Sequence, residues 1–285
     1  MRIDGFTFRS QTFLVAADKR ALFSAQIAAF SRRMVQSHRL EDVKMQIKIH
    51  EIGSYALRNY LLETPIGWIA VDTGYPGGED AFLKRFTTLA PLDRLKYIFL
   101  THAHDDHAGF LSALLQKTDA TLVLNAASVP LLASGENSEP PGAGYATRLA
   151  TLFALVKKVH SFPPVAVPES AVVLQSEADQ PFLTLGLPLR VLFLPGHTSD
   201  SIGLYLEETG DLLCGDAAMN AVISPGRHTI WLEDPAEFGR SWDKMLALHP
   251  KRIYPSHGNP FPPSDLVRYR HFYDGRKPIP PQKRS

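Results

Sequence analysis

An α/β fold is what this sequence predicts, and three observations predict it. From Met45 onward, short apolar runs of strand length alternate with segments of helical spacing, as in strand–helix–strand units. Four strand-like runs deliver a ligand-type side chain beside a glycine: Asp72 before Thr73-Gly74, His197 after Gly196, Asp216 after Gly215 and His257 before Gly258. A fifth, over residues 97–100, runs into Thr101-His102-Ala103-His104-Asp105-Asp106-His107-Ala108-Gly109. Polar residues at one edge of a sheet converge on one site.

Residues 1–44 stand apart. Over the first forty, Lys and Arg outnumber Asp and Glu, and residues 22–35 carry Leu22, Phe23, Ile27, Phe30 and Met34 at near-helical spacing. A helical extension peripheral to function is expected, with a targeting segment as the lesser alternative. The catalytic domain is expected over 45–275. Residues 45–52 alternate apolar and polar, a half-buried strand that Gly53-Ser54 ends. Runs at 60–62 and 68–71, around Thr64-Pro65-Ile66-Gly67, predict a hairpin or meander. Residues 80–89 set Phe82, Leu83 and Phe86 on one helical face; residues 110–116 are helix-compatible and 121–124 form a short strand.

Residues 125–170 are the least regular. Glu139-Pro140-Pro141-Gly142 signals a loop, and 145–159 reads as a helix with Leu149, Leu152, Phe153 and Val156 near one face. Strand patterns resume at 189–194, 202–206 and 212–214. Asp234-Pro235-Ala236-Glu237 is a helix start, with a capping Asp, Pro in the first turn and an acid three residues on. That helix buries Phe238, Trp242, Met245 and Leu246. Residues 252–255 are the last strand, and the Pro-rich, basic stretch over 276–285 is expected to be disordered.

Composition narrows the function classes. The 285 residues carry a formal net charge of +1, so no overall field draws the chain to nucleic acid or a membrane surface. Cys214 is the single cysteine, which rules out an intrachain disulfide and a thiolate zinc cluster. No apolar run reaches the ~18 residues of a membrane span. A cytoplasmic protein with a small-molecule substrate is expected; oligomeric state is not encoded in any pattern found.

Three histidines and two carboxylates within the 102–107 loop are hard to explain as core packing. Imidazole and carboxylate suit zinc, iron and manganese. His102 and His104, two apart on an extended segment, point to the same side and suit one ion, leaving Asp106 and His107 to turn toward a neighbour. His197, Asp216 or His257 alone would more often be turn or surface residues; together they complete a set. Of the remaining histidines, only His228 sits in a segment expected near the site.

The ordered set His102-x-His104-x-Asp106-His107, His197, Asp216 and His257, preceded by Val71-Asp72-Thr73-Gly74, resembles the metallo-β-lactamase superfamily over about residues 45–265. The resemblance implies a four-layer αββα sandwich with metals at one edge between two sheets. It implies two divalent ions, zinc first, with iron or manganese as alternatives. His102, His104 and His197 would hold one; Asp106, His107 and His257 the other; Asp216 would bridge them. Asp72 would be a buried carboxylate orienting a ligand histidine. A metal-bridging hydroxide would attack the substrate, with Asp106 helping to move the proton.

Departures from particular branches narrow the substrate. Enzymes that cleave β-lactams lack the bridging aspartate; hydroxyacylglutathione hydrolases carry a long helical extension after the last histidine. Acylhomoserine lactonases have a tyrosine where Met219 stands, and flavodiiron proteins a glutamate where His104 stands. What remains is a hydrolase of a small ester, thioester, lactone or related bond. The alternatives are a mononuclear iron enzyme resembling persulfide dioxygenases, and a phosphodiesterase of the same fold. Met219, His228 and Trp231 are the expected pocket residues, within apolar segments 145–156 and 219–232.

Overall fold

The computed structural model describes residues 47–154 and 161–281. The expected helix over 22–35 lies outside the described residues. The chain runs β1 (Lys48–Glu51), β2 (Tyr60–Thr64), β3 (Gly67–Val71), α1 (Glu79–Phe86), β4 (Leu95–Phe99), α2 (Leu111–Lys117), β5 (Thr121–Asn125), α3 (Ser128–Ser134), β6 (Gly144–Tyr145), α4 (Arg148–Ala154), β7 (Val172–Leu174), α5 (Pro181–Thr184), β8 (Leu189–Phe193), β9 (Ile202–Leu206), β10 (Asp211–Gly215), β11 (Trp231–Leu232), α6 (Pro235–Ala247), β12 (Arg252–Pro255) and α7 (Ser264–Tyr269). One sheet has the order β1-β2-β3-β4-β5-β7, the other β12-β10-β9-β8, and β11 pairs with β6 alone.

Side-chain alternation builds the layers. In β3, Trp68 and Ala70 pack toward Phe82 and Phe86 of α1, while Ile69 and Val71 enter the core between the sheets. In β10, Leu213 joins that inter-sheet core, while Leu212 and Cys214 face Phe238, Trp242 and Met245 of α6. Both sheets are covered on both faces, which is why their strands read as near-continuous apolar runs. The result is an αββα sandwich, as expected. Truncating a fully buried anchor such as Trp242 would cost about 3–5 kcal/mol.

Parallel pairing puts the ligand-bearing strand ends at one edge. β3, β4 and β5 are parallel neighbours, as are β10 and β12. β8 is antiparallel to β9, which is antiparallel to β10, so β8 ends at the same edge as β10. There the sheets are stitched together: the Ile202 amide donates to the Thr101 carbonyl at 2.8 Å, and the Tyr60 hydroxyl donates to the Pro255 carbonyl at 2.9 Å. Helix α6 begins as its sequence demands. The Asp234 carboxylate accepts from the amides of Ala236 and Glu237 at 2.8 and 2.9 Å, and Pro235 fills the first turn.

Three sequence expectations change. The helix expected from residue 145 begins at Arg148, because Gly144–Tyr145 pairs with Trp231–Leu232 instead. α3 adds structure to the irregular 125–170 stretch and β7 follows directly after it; both are short, and Pro130 interrupts the helical pattern of α3. Residues 276–281 of the expected-disordered tail are described and make contacts. Tyr145 and Ile279 exchange both backbone hydrogen bonds, at 2.8 and 2.9 Å, and Arg276 lies over the Phe272 ring. A third short segment thus extends the β6–β11 pair, giving the expected-disordered residues a backbone partner. Among the described residues, no helix is long and apolar enough to cross a membrane.

Candidate metal centre

The loop after β4 is held from beneath by Asp72, named for that place by the family resemblance, and by residues the sequence does not advertise. Asp72 sits at the end of β3 with φ of 61°, a left-handed conformation costing a non-glycine residue about 1–3 kcal/mol. Three hydrogen bonds hold it there: Thr101 donates its amide at 2.7 Å and its hydroxyl at 2.8 Å, and His107 donates Nδ1–H at 2.8 Å. Behind the loop, the buried Asp200 accepts from the Ala103 amide at 2.9 Å and the Ser128 hydroxyl at 2.6 Å. Asp105 turns away from its neighbours and pairs with Asn137, giving its amide at 2.8 Å and accepting at 2.6 Å. On the far side, Gly196 has φ of 129°, and a Cβ there would stand 2.3 Å from the Phe238 backbone. Glycine is what lets the His197 loop lie against the start of α6.

These supports aim the imidazoles. His107 donates Nδ1–H to Asp72, His197 Nδ1–H to the Trp231 carbonyl at 2.9 Å, and His257 Nδ1–H to the Ala56 carbonyl. His102 Nδ1 meets the Thr101 hydroxyl at 3.1 Å, whose own proton goes to Asp72. Each of these four rings therefore turns Nε2 inward, its tautomer set by the outer bond. His197 Nε2 stands 3.2 Å from His102 Nε2 and 3.2 Å from His104 Nδ1. His257 Nε2 stands 3.3 Å from Asp106 Oδ2, and His107 Nε2 3.8 Å from Asp106 Oδ1. Asp216 Oδ2 lies between, 3.6 Å from both His197 and His107 and 3.5 Å from His257. All seven residues are buried, at most 8% exposed.

The arrangement fits metal ions. Tetrahedral ligands about 2.0–2.1 Å from an ion stand about 3.3 Å apart, close to the spacings above. Ligand atoms of His102, His104 and His197 lie within 4.8 Å of one another, and so do those of Asp106, His107 and His257 and of His102, His107 and Asp216. His107 Nε2 and Asp216 Oδ1 are buried with no hydrogen-bond partner, a costly state that a cation relieves. Without a cation, charge sorts itself among the rings. Burial, aided by the neighbouring rings, holds His102 well below its ordinary pKa, and burial holds His197 down despite Asp216. Burial also opposes charge on His107 and His257. The carboxylates around them win: His107 is raised well above its ordinary value by Asp72, Asp216 and Asp106, and His257 is raised to about 10 by Asp216 and Asp106.

A pH dependence follows. A raised folded-state pKa contributes stability that is full below the unfolded value of 6.5 and is lost as pH rises through about 10. Chelator-treated protein should therefore lose stability to urea between about pH 6.5 and 10. Metal loading at pH 7 should expel the protons of His107 and His257, seen as calorimetric heats that scale with buffer ionisation enthalpy. Heats independent of the buffer would contradict this assignment.

A cavity of about 280 Å³ opens onto the cluster, lined by His104, Asp106, His197, Asp216 and His257. Of the expected pocket residues, Met219 and Trp231 line it, with Ile223 and Ile230 beside them. Tyr75, which the sequence reading passes over, also lines it and donates its hydroxyl to Asp106 Oδ2 at 3.3 Å. His228 does not line it, and this corrects the expectation. Its ring stacks on Phe272 at 3.4 Å between centroids, and Nδ1 pairs with the Tyr273 hydroxyl at 2.7 Å. Burial, with Arg276 and His271 adding to it, lowers its pKa to about 3, so it is a neutral brace for the loop before β11. The Phe153 side chain, in the 145–156 segment expected beside the pocket, lies outside those described.

The sequence and the fold match known proteins. The model of the metallo-beta-lactamase superfamily matches residues 59–257, from β2 through the last candidate ligand. The chain belongs to the metallo-β-lactamase superfamily. It is 26% identical over 227 residues to a beta-lactamase-like protein 2 homolog of Caenorhabditis elegans, a match covering 77% of this chain and 63% of that protein. The archaeal superfamily member ST1585 from Sulfolobus tokodaii superposes with a TM-score of 0.54 at 19% identity, over 78% of this chain and 84% of the other. TTHA1623, solved in a di-iron-bound form, superposes with a TM-score of 0.54 at 24% identity, over 78% and 98%. Metallo-β-lactamase superfamily membership accounts for the sandwich and for candidate ligands drawn from both sheets.

Proposed function

We propose that this chain is a binuclear metallohydrolase that cleaves a small ester, thioester or lactone. The observation carrying the reading is the second ligand group. Asp106, His107 and His257 converge beside His102, His104 and His197, with Asp216 facing both. In this reading each group would hold one divalent ion, with the Asp216 carboxylate available to both, zinc being the first choice. The di-iron form of TTHA1623 lends support to two ions and keeps iron open. When bound, such a pair supplies Lewis acidity and ionises water near neutral pH. The oxygen of water joins the acyl carbon, the bond to the leaving oxygen or sulfur breaks, and one proton goes to the leaving atom and one to solvent. Asp106 Oδ2 carries the transferred proton, and the Tyr75 hydroxyl steadies that oxygen. Burial, with Asp106 adding to it, raises the Tyr75 pKa, so the phenol stays a donor across the working range. The same reading gives the enzyme a cytoplasmic setting and a small-molecule substrate.

Metal analysis of protein purified without added metal, alongside a panel of nitrophenyl esters, thioesters, lactones and bis-nitrophenyl phosphate, tests it. Two ions per chain with carboxylic ester or lactone hydrolysis are expected, and His104→Ala should lose metal and turnover together. One tightly held iron with oxygen consumption on a persulfide would overturn the reading. So would full turnover by a His104→Ala protein of unchanged metal content.

A further inference from the structure

The cavity has a second surface besides the ligand cluster, and that surface is apolar. We propose that it is a chain-binding face: the substrate is an uncharged ester, thioester or lactone whose acyl side carries an apolar chain of medium length. The proposal rests on the hydrolase reading and names the substrate class of the same site.

Four observations carry it. First, Met219, Ile223, Ile230 and Trp231 line the cavity, and the Tyr145 ring meets Trp231 edge-on at 5.4 Å, tying β6 to the same wall. Second, the lip is apolar and wet. Val222 is 82% exposed and Tyr55 45% exposed, both lining the cavity. A chain crossing such a lip leaves water, and each methylene buried adds about fourfold to binding.

Third, among the described lining residues there is no Lys or Arg, and Glu139 is the one charged side chain outside the cluster. Phosphates and carboxylates are recognised by guanidinium, ammonium or helix N-termini. An acyl chain ending in a carboxylate would meet Glu139 and apolar surface, with desolvation uncompensated.

Fourth, the wall is built before any ligand arrives. The Met219 amide donates to the Arg227 carbonyl at 3.1 Å, and the Asn220 amide to the His257 carbonyl at 2.8 Å. The Tyr55 hydroxyl donates to the Asn220 carbonyl at 3.1 Å, and Arg227 Nε donates to Asp265 at 2.9 Å. Little ordering remains to be done on binding. The cavity of about 280 Å³ also holds the region against the ligand cluster, so the room beside the scissile group suits a chain of medium length.

The experiment uses metal-loaded enzyme and nitrophenyl esters from acetate to dodecanoate. Expected is a kcat/KM that climbs about fourfold per methylene and levels once the cavity is filled, near octanoate. An acyl chain of matched length ending in a carboxylate should fall at least about tenfold below its neutral counterpart. Val222→Asp, at a solvent-facing position, should lower octanoate turnover at least about tenfold relative to acetate turnover. A kcat/KM flat in chain length, or a preference for the charged chain, overturns the chain-binding face and leaves the hydrolase reading standing. If no ester, thioester or lactone is turned over, the hydrolase reading fails by itself. The face is then decided by calorimetry with 2-alkanones, which are uncharged and not hydrolysable. Affinity rising with their length upholds it, and absent or length-independent binding overturns it.

Discussion

Replacing Asp216 by alanine should cost the protein both its metal content and, in the metal-free form, much of its stability. Asp216 is the carboxylate that faces both ligand groups, and burial would raise its pKa. The neighbouring His257 and His107 instead hold it well below the usual carboxylate range. A depressed folded-state pKa contributes stability above the unfolded value near 3.8 that is lost as pH falls, so the contribution is present at pH 7. Alanine strands the charge on two buried imidazoliums. Removing one partner from a buried ionic cluster costs about 3–5 kcal/mol. Urea unfolding of chelator-treated wild type and variant at pH 7 checks this. Metal analysis should find at most one ion per chain, and ester turnover should fall by at least about a hundredfold. A variant as stable as wild type that holds two ions would remove Asp216 from the centre.

Asp72→Asn is the second large effect, and it acts from outside the ligand set. Asparagine tolerates the left-handed backbone at this position and keeps the side chain's shape, so the fold should survive. What is lost is the negative charge that fixes the His107 ring through Nδ1 at 2.8 Å. Loss of such an outer-shell partner lowers metal affinity about 10–100-fold. Competition against a chelator of known affinity measures this directly. Unchanged affinity would leave Asp72 only a backbone role, holding Thr101. Asp72→Ala adds the strain of a left-handed alanine and three orphaned hydrogen bonds, and should be the less stable protein of the two.

The candidate ligands were readable from sequence because their chemistry is local to strand ends. His102, His104, Asp106 and His107 crowd one loop, and His197, Asp216 and His257 each adjoin a glycine whose backbone the turn requires. The layers were readable because strands buried on both faces, such as β3 and β10, leave uninterrupted apolar runs. Asp72 was the one support readable from sequence, through the family resemblance; the others were not. Asp200 looks like any polar residue before a strand, and its role depends on Ser128 and the Ala103 amide arriving from elsewhere in the chain. His228 and Trp231 are three residues apart and equally plausible in sequence. Phe272 and Tyr273, from after α7, claim the first ring for a brace, while pairing with β6 turns the second toward the cavity. Two-residue strands such as β6 and β11 have too few positions for any periodicity to register.

Because the ligand set is shared between the ends of β4, β8, β10 and β12, no single sheet can present it. An ion held there would therefore be a probe of assembly. A partly folded chain with its sheets undocked offers only the 102–107 loop, and full affinity appears when β8, β10 and β12 close over it. Free metal at a hundred times its dissociation constant would then favour the closed sandwich by about 2.7 kcal/mol. On the metal-binding reading, the melting temperature should rise with metal concentration.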